Sequence, residues 1–304
     1  MKNFKKSLVA LSAILMMGAG TAQAESVAYA NLDILNLEML DHNTGNILVL
    51  GTHVNILGGV NNTQNNSASL NASSDNTNDG TMACVGDCGV AQDTFSQQAA
   101  GTTFSRSDSA INGAIIDVGG GAGGVTAQSV SETQLNQNGM GNSDSTLQTN
   151  TAFVFTPTNN LQVAFSFSAL GELFAFQGPD NNPGSSAQAG SSFTISIANL
   201  DNGAKVFEWT PDGVIGNEAL ANDSTDDDDL TTNISRPIPG TSQDILGGNF
   251  YASSLGFLQA GVNYVLSINH NTEVNAARDV PEPGMLFLLG LGLAGFAVRK
   301  RKAS

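Results

Sequence analysis

Positive charge is the scarcest property of this sequence. Eleven Lys and Arg stand against 27 Asp and Glu in 304 residues, a formal net charge of −16. Seven of the eleven sit at the chain ends, at Lys2, Lys5, Lys6, Arg299, Lys300, Arg301 and Lys302. Residues 25–283 therefore keep only Arg106, Lys205, Arg236 and Arg278 and carry a net −23. A surface of that sign repels nucleic acid and anionic lipid, so no nucleic-acid partner is expected. Aromatic platforms are few as well. One Trp (Trp209) and three Tyr (Tyr29, Tyr251, Tyr264) offer little to stack on a sugar face, and the 15 Phe are read as core residues first.

Catalytic signatures are missing too. G-x-S-x-G and H-E-x-x-H do not occur, and His42, His53 and His270 have no nucleophile motif around them. Glu172 and Glu208 qualify as hydrolase carboxylates by type alone, and nothing in the sequence pairs them. The expectation is a protein that is not an enzyme. The two cysteines, Cys84 and Cys88, lie four positions apart with no histidine near them in sequence. In an exported chain such an isolated pair reads as a disulfide before it reads as a metal site.

The chain ends carry the clearest signals. A basic start at Lys2, Lys5 and Lys6 is followed by an uncharged apolar run from Ser7 to Gly20, then by Ala22 and Ala24 in the small-x-small pattern of a signal peptidase site. Residues 1–24 are read as a signal peptide. At the other end Pro281-Glu282-Pro283 precedes an apolar run from Met285 to Val298, and Arg299, Lys300, Arg301 and Lys302 follow as a basic stop. The prolines end any preceding structure, the apolar run enters the bilayer as a helix, and the basic cluster stays cytoplasmic. Fourteen residues of helix span about 21 Å, thin for a permanent anchor and suited to a transient one.

Pro-Glu-Pro, an apolar helix and a basic end, in that order, resemble the PEP-CTERM tail of exosortase substrates, over about the last 25 residues. The resemblance implies cleavage near the Pro-Glu-Pro by a membrane exosortase, with signal peptidase and exosortase as processing partners. It also implies a Gram-negative source, transient anchoring in the inner membrane, and a final place at the cell surface or in an extracellular, biofilm-type matrix. Exopolysaccharide is the partner it suggests.

Between the ends, period-two alternation marks strands. Leu161, Val163, Phe165 and Phe167 alternate with polar or small residues, as do Phe193, Ile195 and Ile197, and Val262, Tyr264, Leu266 and Ile268. Phe153/Phe155 and Phe174/Phe176 are read as extending the same pattern. Asp201-Asn202-Gly203 between two such runs is a hairpin turn. Residues 46–50 and 54–57 read as short strands, the stretch from 103 to 117 as holding a helical turn followed by the strand 114–118, and residues 58–79 as a long exposed loop because they hold too little apolar surface to offset ordering entropy. The fold class expected is mainly β: an antiparallel β-sandwich, with a jelly roll as one form, a loop-rich N-terminal extension and hydrophobic helices at both termini. The expected division is signal peptide 1–24, extension 25–124, sandwich 125–279 and sorting tail 280–304.

Three motifs suggest ligands. Gly119 to Gly124 matches G-x-G-x-x-G, and Asp144 has the spacing of a ribose acid, but residues 125–130 read as a strand where a dinucleotide site needs a helix. Asp75 to Gly80 starts like a calcium loop, yet Gly86 stands where a bidentate Glu belongs. Asp226, Asp227, Asp228 and Asp229, with Asp223 just before them, form an acidic run that is read as a solvated loop with weak Ca²⁺ attraction. No cofactor and no firm metal site are expected. The leading reading is a surface or matrix protein, the alternative a carbohydrate- or calcium-binding module, and the third an extracellular hydrolase.

Overall fold

Fifteen strands and no helix make up residues 25–57, 62–70, 76–78, 82–88, 94–99, 101–119, 123–136, 139–179 and 184–279, which are those described by this computed structural model. The signal peptide with Ala22 and Ala24, the Pro281–Pro283 motif, the apolar run from Met285 to Val298 and the basic stop lie outside the described residues. In chain order the strands are β1 (Ser26–Asp41), β2 (Val54–Ile56), β3 (Asn62–Leu70), β4 (Asn76–Asn78), β5 (Met82–Gly86), β6 (Phe104–Ala114), β7 (Gly124–Leu135) and β8 (Gly139–Pro157). They continue as β9 (Val163–Gln177), β10 (Ser186–Asn199), β11 (Lys205–Trp209), β12 (Ala221–Asp226), β13 (Asn233–Arg236), β14 (Gly240–Ser254) and β15 (Tyr264–Arg278).

Two antiparallel sheets result. One has eight strands in the order β12-β14-β9-β1-β7-β6-β5-β4; the other has seven, β11-β10-β15-β8-β2, with β13 also on β10 and β3 also on β8. From β7 onward the chain crosses between them repeatedly, the connectivity of two layers sharing one core. The strand count exceeds the eight of a jelly roll.

The alternation read from sequence holds for the central strands. Phe165, Phe167, Phe193, Ile195, Ile197, Leu266 and Ile268 all face inward and are buried. Phe167 is their hub, stacked on Phe250 at 4.9 Å and tilted against Phe193 and Trp209 at 5.0 and 5.5 Å. Asp201–Gly203 turns the β10–β11 hairpin as expected, with Gly203 at φ +71° and its amide donating to the Asn199 carbonyl. Phe174 and Phe176 alternate as well, but out of phase with Phe165 and Phe167. They lie on the opposite face of β9, where Phe174 packs with Val27, Tyr29 and Val130 in a small second cluster.

The N-terminal third, expected as an extension, supplies six of the strands, and β1 lies between β9 and β7 in the middle of its sheet. Within residues 58–79, β3 pairs with β8 along its full length instead of forming a loop. Residues 104–114 are strand β6 and not a helical turn, and the chain bends at residues 115–116 where a strand was expected. The physical reason is a polar interior. Ser105, Ser107 and Ser109 of β6, Ser129, Ser131 and Thr133 of β7, Ser143 and Ser145 of β8 and Thr272 of β15 are all buried. Ser105 Oγ donates to the Asn142 carbonyl at 2.7 Å, Ser145 Oγ to the Asp108 carbonyl at 2.9 Å and Ser131 Oγ to the Thr272 carbonyl at 2.8 Å. Each hydroxyl is buried with a partner, so this end of the sandwich closes on a hydrogen-bonded seam and shows no apolar alternation.

Outside the eight-stranded sheet, residues 94–99 lie over β1, β7 and β6. Tyr29 Oη donates to the Phe95 carbonyl at 3.0 Å. Beneath the segment, Arg106 and Glu132 form an ion pair at 2.9 Å with side chains 2% and 0% exposed.

Candidate functional site

Strand register aligns polar side chains across the outer face of the seven-stranded sheet. Ser69 pairs with Asn142, Asn142 with Asn275, Asn275 with Gln188 and Gln188 with Ser235. All five are exposed, because inward positions on β10 and β15 take the apolar residues and the pleat turns their neighbours outward. Adjacent strands lie about 4.8 Å apart, so this row crosses five strands over about 19 Å. Ser69 Oγ donates to Asn142 Oδ1 at one end of it. The face continues with Asn271 opposite Ser192, Asn269 opposite Thr194 and Ser267 opposite Ser196.

β13 rises along the margin of β10 and makes part of this face concave. A groove of about 470 Å³ is lined by Asn142, Gln188, Gly190, Asn233, Ser235, Glu273 and Asn275 among others. Amides and hydroxyls both donate and accept, so the groove can match a ligand rich in hydroxyls. Glu273 supplies a negative charge there. The sequence marked these positions as the polar half of each strand, but only register shows that they form one row.

The acidic run is differently employed. Asp226 is buried at the end of β12, and a bulge between Asp223 and Thr225 turns it to the same side as Asp223. Its Oδ2 accepts from the Asp212 amide at 3.2 Å. Asp227 Oδ2 accepts from the Asn249 amide and Asp228 Oδ2 from the Gly247 amide, both at 2.9 Å, while Asp229 Oδ1 accepts from the Thr231 amide at 2.8 Å. A Cβ at Gly248 would meet Asp227 Cβ, which is why β14 carries glycine beside this loop. Asp227 and Asp228 tie this run to β14 while Asp226 and Asp229 accept from loop amides, and among the described residues no three His, Cys, Asp or Glu side chains gather as metal ligands. The expected solvated loop is thus an ordered one.

Burial, reinforced by nearby Asp223 and Asp212 and opposed by backbone amides, pushes the Asp226 carboxyl up to about 6. A carboxyl that binds its proton more tightly folded than unfolded stabilises the fold below about pH 4 and loses that contribution as pH rises through 6. Asp226→Asn is therefore expected to raise stability at pH 7 by about 1–2 kcal/mol, discounted because β12 is an edge strand reached by water. Urea melts at pH 7 and pH 4 check this: the gain should vanish at pH 4, and a loss at pH 7 contradicts the assignment.

The remaining residues singled out from sequence are scattered. Glu172 accepts from Gln243 at 2.6 Å on the eight-stranded sheet, whereas Glu208 pairs with Lys205 on the seven-stranded one. They lie on different sheets and form no catalytic pair. His42 Nδ1 contacts Tyr251 Oη at 2.9 Å and His53 Nδ1 accepts from the Val49 amide at 3.0 Å. Cys84 and Cys88 are joined as a disulfide, their Cα atoms 6.2 Å apart. Gly124 opens β7, so a strand follows the glycine-rich run; residues 120–122 lie outside the described residues, as do Asp75, Asp79 and Gly80 of the calcium-like stretch.

A family model of the PEP-CTERM protein-sorting motif matches residues 279–302, at the C-terminal end of the chain. No curated protein matches the chain. Among solved structures, a family 11 carbohydrate-binding module from Clostridium thermocellum in complex with a β-1,3-1,4-mixed-linked tetrasaccharide aligns at 7% identity over 79% of this chain and 95% of its own, with a TM-score of 0.11. Infectious bursal disease virus, Gx strain, aligns at 12% identity over 86% and 67%, with a TM-score of 0.10. At those scores neither likeness supports an argument about fold or ligand.

Proposed function

Starting from a PEP-CTERM domain-containing protein, exported, transiently anchored in the membrane and processed by an exosortase on its way to the cell surface, we propose a non-enzymatic surface or extracellular-matrix protein of a Gram-negative bacterium that associates with exopolysaccharide. The observation that supports this reading is the row from Ser69 to Ser235, which presents hydrogen-bonding side chains at about the spacing of successive sugars. With a net charge of −23 over residues 25–283 and Glu273 in the groove, the chain suits a neutral glycan better than a uronate-rich one. The scarcity of Trp and Tyr points to binding by many weak hydrogen bonds, as a matrix protein needs, without stacking.

Electrophoresis through gels cast with neutral polysaccharide tests the reading. The protein recovered from its cells should be retarded, with or without Ca²⁺. Gln188→Ala combined with Asn275→Ala should weaken retardation roughly tenfold, from two lost hydrogen bonds of about 0.5–1.5 kcal/mol each. Mobility unchanged by every neutral glycan tried, or equal loss from substitutions on the other sheet, rules the face out. Retardation that requires Ca²⁺ favours a calcium-dependent binding module instead.

A further inference from the structure

Both ends of the described chain lie at one end of the sandwich. Ser26, which opens β1, pairs with Gln177 at the close of β9, and Gln177 pairs with Gly240 at the start of β14. In the other sheet Ser186 at the start of β10 pairs with Ala277 near the close of β15, and Ala187 pairs with Arg236 of β13. Ser26 Oγ donates to the Ser186 carbonyl at 3.1 Å and joins the two sheets there. The connection from β14 to β15, with Phe257 60% exposed, lies at the opposite end.

The sorting tail leaves from the first of these ends. Asp279 follows β15, its amide donating to Ser185 Oγ at 2.9 Å, and the apolar run begins at Met285. That stretch of chain reaches at most about 20 Å, so a tail held in the bilayer keeps this end of the fold within about 20 Å of the hydrocarbon, roughly a third of it headgroup layer. The turn from β13 to β14 projects at the same place. Its tip is Pro237-Ile238-Pro239 with Ile238 60% exposed, and a Cβ at Gly240 would meet the Arg236 guanidinium, which lies beside that tip. Met140, 58% exposed, pairs with Ala277 nearby.

We propose that this end of the sandwich rests on the membrane surface while the tail is in place, with Ile238 in the interfacial layer and Arg236 at the lipid phosphates. Charge favours that orientation. Among the described residues this end holds Arg236, Arg278, Glu25, Asp87 and Asp279, close to balance in a region, residues 25–283, of net −23. The acidic run begins at Asp226, which pairs with Phe250, about 33 Å along β14 from Gly240. Salt screens charge over about 8 Å, so an upright fold keeps that run clear of an anionic leaflet and a tilted one does not. Tethering raises the effective concentration of the surface, so a contact too weak to hold the released protein is enough for the anchored one. The strands then stand upright, and the polar row that crosses them runs parallel to the membrane. The proposal needs the membrane tail and is independent of the glycan reading.

The tail-bearing protein, reconstituted in phosphatidylcholine–phosphatidylglycerol vesicles with brominated acyl chains, tests it, because bromine quenches indole only at close range. Trp209 is fully buried, so a second tryptophan reports its own surroundings. Ile238→Trp should add emission that moves to the blue on reconstitution and is quenched by the brominated lipid. Phe257→Trp, equally exposed at the opposite end, should add emission that is not. Arg236→Glu in the Ile238→Trp chain should shift the contact about tenfold toward the unbound state, the equivalent of ~1.4 kcal/mol, and quenching should fall with it. Absence of quenching at 238, equal quenching at 257, or quenching that Arg236→Glu leaves unchanged overturns the proposal.

Discussion

Replacing Arg106 with alanine is expected to lower the stability of the fold by about 3–5 kcal/mol, the cost of leaving a buried carboxylate without its partner. Glu132 is fully buried beneath residues 94–99, and its carboxyl is raised by that burial against the pull of Arg106. The guanidinium also donates from Nη1 to the Thr94 carbonyl and from Nη2 to the Ser96 carbonyl, both at 2.7 Å. Glu132 Oε1 in turn accepts from the Gln98 amide at 3.0 Å and from Gln134 Nε2 at 2.7 Å. One ion pair thus holds both sides of the covering segment. The substitution should therefore also expose residues 94–99 to proteolysis, ahead of global unfolding. Arg106→Lys should recover little, because an ammonium cannot reproduce the planar fork. Denaturant melts and limited digestion decide it; a loss below about 1 kcal/mol with no new cleavage would show that the pair is incidental.

Acidification should weaken the fold through His270. Burial drives its imidazole down to about 3, with a smaller opposing effect from the Leu32 backbone, and its neighbours Ser129 and Phe193 carry no charge. An unfolded histidine takes up its proton near pH 6.5, so between about 6.5 and 3 the unfolded chain holds a proton that the folded chain does not. Stability contributed by the neutral ring is complete above 6.5 and falls by about 3 kcal/mol on reaching pH 4. Asp226 acts in the opposite sense between about 6 and 4, and so do the other carboxyls that burial raises, Glu25, Asp33, Glu132, Glu172, Asp223 and Asp229, so the profile of the whole protein does not isolate the ring. The decisive quantity is the difference between wild type and His270→Gln. That difference should change by about 3 kcal/mol from pH 7 to pH 4, and a constant offset across the range would mean that the ring is protonated in the fold.

The strands that read clearly in the sequence are those whose inner face is apolar. Phe165, Phe193 and Leu266 stand on strands with an alternating pattern because their opposite faces meet solvent. β3 could not be read that way. Its order comes from backbone pairing with β8 and from contacts such as Asn66 Nδ2 donating to Ser109 Oγ at 2.8 Å, and polar composition does not distinguish these from a loop. β6 failed for a related reason, since its inward positions are serines. That Phe174 and Phe176 face the opposite side of β9 from Phe165 is not legible in the sequence, because the covering segment around Phe95 comes from a stretch with no periodicity of its own. The candidate glycan face needs register between strands far apart in sequence, and the acidic run became anchors only because particular backbone amides come within reach. The cysteine pair was legible because proximity and an oxidising compartment suffice.

The serine seam also affects how the protein responds to temperature. Unfolding an apolar interior exposes surface that raises the heat capacity, whereas exposing hydroxyl and peptide groups lowers it. Ser105, Ser107, Ser131, Ser143 and Ser145 put the second kind of surface where most domains keep the first. The heat-capacity change per residue should then fall below the usual ~12–15 cal/mol/K, and the curve of stability against temperature should be broader and flatter. A protein exported beyond the buffered interior of the cell gains from that shape: its folded population changes less between a cold environment and a warm one.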